Sequence, residues 1–148
     1  MAERPIYVVD ASIAVRWFLR NPPYVEQSLA VGVDFSAQRT SLLAPDNFVY
    51  EVASSIRHAA VARILTVDQA EAGIAEFLKW EILTIEATEL ILPACRLSFR
   101  FGCSFYDSLY LAVADFTGHP FIHADAKLHR TLGGRFPLEL WIEDHQGL

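Results

Sequence analysis

The sequence predicts an α/β protein, a three-layer α/β/α sandwich around a mainly parallel central sheet of four to five strands. Three observations carry this. Short apolar runs of strand length alternate with longer segments of helical periodicity from one end of the chain to the other. One of those runs, Ile6–Val9, is continuously apolar, as strands buried on both faces are, and a second, Phe121–Ala124, is broken only by His123. The chain has 148 residues, enough for one domain with a real core, and no linker, repeat or low-complexity segment divides it. One domain over residues 1–148 is therefore expected.

The elements follow in order. Ile6–Val9 is a strand, and Asp10-Ala11-Ser12 leads into a helical pattern through Trp17 and Leu19. Pro22-Pro23 breaks the chain before a helix over about 24–38. Leu42-Leu43-Ala44 is a short strand. Pro45-Asp46-Asn47 starts a helix, with Asp46 as N-cap, and Phe48, Val49, Val52, Ile56 and Ala59 recur at helical spacing to about Ile64. Thr66 caps a helix to Lys79, and Glu81–Ile85 is a strand. A helix from about Thr88 to Phe101 stops at Gly102; Ser104 opens the next, which stops at Gly118. Pro120–Ala124 is a strand, Lys127–Leu132 a short helix, Gly133-Gly134 a turn and Leu138–Ile142 a last edge strand.

Composition narrows the function. Net charge is −6, which excludes a broadly basic nucleic-acid coat. Hydrophobic residues make up 53% of the chain and mean hydropathy is +0.25, a surplus that points to an oligomer or partner surface. Cys95 and Cys103 lie outside any C-x-x-C or finger spacing and read as inert thiols of a reducing compartment. With no secretory h-region and no run of about 18 apolar residues, the expected location is the cytoplasm, with no membrane partner.

Four carboxylates stand where carboxylates are normally excluded. Asp10 and Asp125 each close an apolar strand, while Glu51 and Asp107 interrupt apolar helical segments. An acid beside a core must be paired, protonated or bound to a cation. No lysine or arginine neighbours Asp10, Glu51 or Asp107 in sequence. Asp10 and Asp125 could each be simple helix N-caps, and Ser104-x-x-Asp107 could be a capping box. Asp107 is the hardest to place structurally, since Tyr110, Leu111 and Ala114 surround it on an apolar helix face. Glu51 lies at the edge of its stripe beside Ser55 and His58 and gains weight only in company. Ligands of an open α/β sheet gather at the carboxyl ends of its strands. Four oxygen-donor acids gathered there suit Mg²⁺ or Mn²⁺.

With these residues in view, the chain resembles the PIN-domain ribonucleases, and most closely the toxin components of VapBC-type toxin–antitoxin pairs. The matching segments are Tyr7–Phe18, Ala44–Arg57, Tyr106–Ala114 and Phe121–Leu128, in family order and spacing. The resemblance implies a PIN-like fold and a Mg²⁺- or Mn²⁺-dependent endoribonuclease acting on RNA. It puts the catalytic and metal-binding acids on Asp10, Glu51, Asp107 and Asp125, with Ser12 an auxiliary hydroxyl. It also implies a cognate antitoxin and a homodimer. One position departs: the family usually has Thr or Ser two residues before the last acid, and here it is His123, either an auxiliary base or a packed strand-end side chain.

Arg96, Arg100, Lys127 and Arg130 flank the last two acids in sequence and would rim the site to hold RNA phosphates, or form a solvated face. Trp17, Phe18 and Tyr24 read as core, with an antitoxin groove as the alternative. Tyr50 and Tyr106, each one residue before an acid, read as buried supports, with base-stacking platforms as the alternative. Two other functions compete. A non-catalytic PIN module would bind RNA or protein without metal. A phosphoacceptor receiver would need an acidic pair after the first strand, where this chain has Asp10-Ala11-Ser12.

Overall fold

A computed structural model describes residues 3–147; Met1, Ala2 and Leu148, at the ends of the expected 1–148 domain, lie outside the described residues. Five strands form one sheet: β1 (Ile6–Val9), β2 (Ser41–Pro45), β3 (Leu83–Ile85), β4 (Phe121–His123) and β5 (Glu139–Trp141). Their order is β3-β2-β1-β4-β5 and every pairing is parallel. Among the described residues seven α-helices cover the sheet: α1 (Ala11–Leu19), α2 (Val25–Ser36), α3 (Asn47–Val61), α4 (Val67–Phe77), α5 (Ile91–Phe101), α6 (Phe105–Thr117) and α7 (Ala126–Leu132). This is the three-layer α/β/α sandwich the alternation predicted.

The core follows the apolar runs. Val8, Val9, Phe121 and Ile122 on the central strands are fully buried, and so are Phe48, Val52 and Ile56 on the inner face of α3. Burying side chains of this size stabilises the fold by roughly 1.5–3 kcal/mol each. Trp17 is core, stacked on Trp80 at 4.6 Å, and Phe18 and Tyr24 pack edge-on against Phe77 and Trp141.

Differences from the sequence-based elements have local causes. The single helix expected over 88–101 is a 3-10 turn, Thr88–Leu90, followed by α5. Pro93 has no N–H to offer the preceding turn, and the regular helix starts where that donor is not needed. Asp46 sits at the N-cap position of α3, but its side chain makes no capping bond. Thr66 does cap α4, in a reciprocal box with Gln69. Gly102 and Gly118 end α5 and α6 with φ of 72° and 75°, a left-handed conformation that favours glycine.

Strand order positions the site. From β1 the chain moves to β2 and β3 on one side, then crosses to β4 and β5 on the other. The reversal falls between β1 and β4, whose register pairs Val9 with Ile122. The crevice of an open parallel sheet opens at that point, beyond the carboxyl ends of the two strands. The residues that leave those ends are Asp10 and Asp125.

Candidate functional site

A cavity of about 670 Å³ opens there, and all four sequence-predicted acids line it: Asp10, Glu51, Asp107 and Asp125. Each is held by its own element. Asp10 leaves β1 and caps α1, its Oδ2 accepting the Ser12 N–H at 3.1 Å. Asp125 leaves the β4 end and caps α7, its Oδ1 accepting the Leu128 N–H at 3.0 Å. Capping and cavity-lining are therefore compatible roles for both. Asp107 stands in the first turn of α6, where the Ser104 hydroxyl accepts its N–H at 3.0 Å. The helix starts of α1, α6 and α7 all reach this region, and their dipoles offset part of the repulsion among the acids.

Glu51, weakest by sequence, is the most firmly held. Asn47 Nδ2, one turn earlier on α3, donates to its Oε1 at 2.7 Å. The Tyr110 hydroxyl, from the buried face of α6, donates to its Oε2 at 2.9 Å. Both lone-pair faces of the carboxylate are thus oriented by different helices. Ser12 ties the two strand ends together: its hydroxyl accepts the Ala124 N–H at 3.0 Å while its own N–H serves Asp10.

Electrostatically the site is strained. Asp10, 6% exposed, has its carboxyl pushed up to about 7, first by burial, against hydrogen bonds from Ser12, and further by the charges of Asp107 and Glu51. Burial also raises Glu51 against the bonds from Tyr110 and Asn47, with Asp107 adding to the rise. Asp107 is raised by burial and by Asp125, opposed by the Ser104 bond and by Lys127. Among the described residues no basic side chain comes within 4.0 Å of any of the four.

Other residues fall differently. Arg96, Arg100, Lys127 and Arg130 are exposed and none lines the cavity; Lys127 is near enough to Asp107 to favour its ionised form. Tyr50 and Tyr106 correct their expected place as buried supports: they are 75% and 62% exposed and form the cavity wall. Tyr50 lies off the apolar stripe of Phe48, Val52 and Ile56, so α3 turns it outward.

His123 does not line the cavity; it is fully buried behind it. The Asp125 N–H donates to its Nδ1 at 3.3 Å, which assigns the ring hydrogen to Nε2. Nε2 then donates to Glu139 Oε1 at 2.8 Å, and His129 Nδ1 donates to the same oxygen at 2.7 Å. Burial lowers the His123 pKa, keeping the ring neutral despite Glu139. His123, His129 and Glu139 bring one ligand atom each within 4.8 Å of one another, a group that could hold a divalent metal. Among the described residues the four acids do not converge that tightly. Yet the two nitrogens that face Glu139, His123 Nε2 and His129 Nδ1, are already engaged as donors, and metal binding at His123 Nε2 would set an N–H against the Asp125 N–H. Hydrogen bonding alone satisfies it.

Sequence reasoning missed three cavity residues or supports. Asn47 was detectable, because residues four apart on a helix face can bond. Tyr110 had been placed beside Asp107, but its bond to Glu51 spans 59 residues and has no local signal. Arg16 lines the cavity one turn after Ser12, and no local pattern sets it apart from a solvated helix arginine.

Comparison with known proteins places the fold. No family model and no curated protein matches the chain. Among solved structures, it is similar to PAE2754 from Pyrobaculum aerophilum, with a TM-score of 0.61 and 23% identity over 95% of this chain and 93% of that one. It is also similar to VapBC2 from Rickettsia felis, solved bound to a DNA fragment from their promoter: TM-score 0.60, 16% identity, 92% of this chain and 96% of that one. Identities this low speak for the fold and not for the chemistry. The chain has the PIN-like fold that its four sequence segments led one to expect.

Proposed function

We propose that this chain, as one domain, is a Mg²⁺- or Mn²⁺-dependent endoribonuclease and the toxin of a toxin–antitoxin pair. One observation carries the reading: four carboxylates from four separate elements line one cavity at the strand-order switch, with no basic side chain in ion-pair reach among the described residues. The donor set fits the cation. Burial and mutual repulsion disfavour the ionised forms of Asp10, Glu51 and Asp107 in the bare protein, and Asn47 Oδ1, at the same cavity, is buried without a hydrogen-bond donor. Hard divalent cations take oxygen ligands of this kind.

Asp10, Glu51, Asp107 and Asp125 would hold the ion. Bound there, it would supply the charge that activates water and stabilises the leaving oxygen. Asn47 and Tyr110 fix both oxygens of Glu51, and Ser12 locks the Asp10 loop to the end of β4. In the reaction the water oxygen bonds to phosphorus, the P–O bond to one ribose oxygen breaks, and that oxygen leaves with a proton. A single-stranded or looped RNA can thread its backbone into an open crevice.

The VapBC2 likeness supports an antitoxin partner, since that structure pairs two proteins on promoter DNA. Exposed Phe99 and Phe116, 84% and 73% accessible, are surface that a homodimer or antitoxin would cover. No helix among the described residues is long and apolar enough to cross a membrane; the cytoplasm, where RNA is at hand, is the proposed site of action. The test is RNA cleavage by antitoxin-free protein with Mg²⁺ or Mn²⁺, compared with Asp10→Asn and Asp107→Asn. A loss of 100-fold or more (about 2.7 kcal/mol in the barrier) is expected in each. Equal cleavage by wild type and variants sinks the four-acid mechanism, and metal-independent RNA binding without cleavage favours the non-catalytic module.

A further inference from the structure

We propose that Arg16 is the phosphate-binding residue of the acid cavity, gripping a nonbridging oxygen pair of the RNA backbone. The proposal rests on the nuclease reading for its substrate class. Arg16 stands on α1 and lines the same cavity as the four acids. Its Nε–H donates to the Pro23 carbonyl at 2.8 Å and its Nη1 to the Ser12 carbonyl at 2.6 Å. A guanidinium carries five N–H donors. Three are left, and among the described residues no protein group accepts from them.

The arrangement is unusual for an arginine beside carboxylates. Asp125 and Asp10 are near enough for their charges to favour its protonated form, against burial that disfavours it. Yet no carboxylate lies within 4.0 Å of it among the described residues. A free arginine would close onto one of them, because fork-to-fork pairing with a carboxylate is the stronger contact. Two backbone carbonyls instead hold the fork at a fixed place on the wall. A residue serving only to neutralise the acids gains nothing from that restraint. One that must meet a phosphate entering beside those acids gains a preset orientation.

The same geometry separates arginine from lysine. A lysine has a single ammonium and cannot bond both carbonyls while presenting a planar pair of donors outward. Arg16→Lys should therefore keep the positive charge and lose the grip.

The experiment uses the full chain, with Arg16→Lys and Arg16→Gln beside wild type. Three quantities are read: the melting temperature, the Mn²⁺ concentration that half-stabilises the RNA-free protein, and affinity for a short fluorescent single-stranded RNA between 50 and 200 mM KCl (~ranges over which phosphate contacts show their salt dependence). Cleavage of the same RNA is followed in parallel. RNA affinity is expected to fall about 10-fold in both variants, and KM to rise with it. The slope of log affinity on log salt should shrink by about 0.7 in Arg16→Gln, the value for one lost phosphate contact on a single strand. The Mn²⁺ midpoint should hold, which a merely structural role in the Pro23 turn would not predict of a loss confined to RNA. Unchanged RNA affinity and salt slope in Arg16→Gln overturn the assignment while leaving the nuclease reading intact. Loss of RNA binding in variants of a protein that never cleaves overturns the nuclease reading and keeps the phosphate contact.

Discussion

Replacing Asp10 by Asn should abolish cleavage and at the same time stabilise the metal-free protein at neutral pH. The side chain is 6% exposed, and its carboxyl is raised from the ordinary 3.8 to about 7, mostly by burial. A raised folded-state pKa means that the neutral acid is the form the fold prefers. Its contribution is complete below pH 3.8 and is lost progressively as pH rises to about 7, where the carboxylate must ionise in place. At 1.36 kcal/mol per pH unit, that gap sets a ceiling of roughly 4 kcal/mol. Relaxation of Glu51 and Asp107, which share the repulsion, brings the expected gain down to about 2 kcal/mol. Asn keeps an oxygen for the Ser12 N–H, so the cap of α1 survives. For a chain of this size each kcal/mol moves the melting temperature by roughly 2–4 °C. Thermal melts by circular dichroism in EDTA should then put Asp10→Asn at least about 4 °C above wild type at pH 8, with the gap closing toward pH 4. Millimolar Mn²⁺ should stabilise wild type and not the variant, as a ligand that binds only the folded state does. A variant that melts at or below wild type at pH 8 in EDTA refutes the claim that Asp10 is an unrelieved buried acid.

Three further outcomes follow from the packing. Tyr110→Phe removes the donor to Glu51 Oε2 and should cost about 1–2 kcal/mol in a urea melt, with roughly 10-fold slower RNA cleavage; an unchanged rate would mean that orientation of Glu51 is immaterial. His123→Thr, the residue type more usual in the family it resembles, should lower stability by about 2–3 kcal/mol, because it opens space beside Phe121 and leaves Glu139 with only His129. Unchanged melting would show the His123–Glu139 bond to be dispensable. Gly32→Ala places a Cβ 3.0 Å from Trp17 Nε1, which donates to the Ser28 carbonyl, and should cost about 1–2 kcal/mol with a shift in tryptophan fluorescence.

Strand ends and helix starts were legible because they are local. Ile6–Val9 reads as a strand from its own side chains, Thr66 announces its box with Gln69, and Gly118 marks a stop that only a left-handed residue makes. Pro93 could have divided the helix expected over 88–101, but proline is tolerated in a first turn and so gives an ambiguous signal. The aromatic residues before the acids were misplaced for a simple geometric reason. A residue one position from a cavity acid is rotated about 100° away on the helix, which put Tyr50 and Tyr106 on the accessible wall.

Asp10, Glu51, Asp107 and Asp125 could be singled out by the sequence alone, since an acid next to apolar neighbours conflicts with its surroundings wherever the chain goes. Their meeting in one cavity could not, because it depends on the β1–β4 reversal and on α3 and α6 converging over it. The partners that hold them are likewise tertiary. Tyr110 reaches Glu51 across 59 residues, and Glu139 takes up His123 from the neighbouring strand. Arg16 reaches the cavity wall only because α1 and the Pro23 turn place two carbonyls beneath it. Hydrophobic periodicity and local caps act within a few residues and so survive in the sequence as pattern. Hydrogen bonds between distant groups act only after the sheet order has brought their elements together, and no local spacing encodes them.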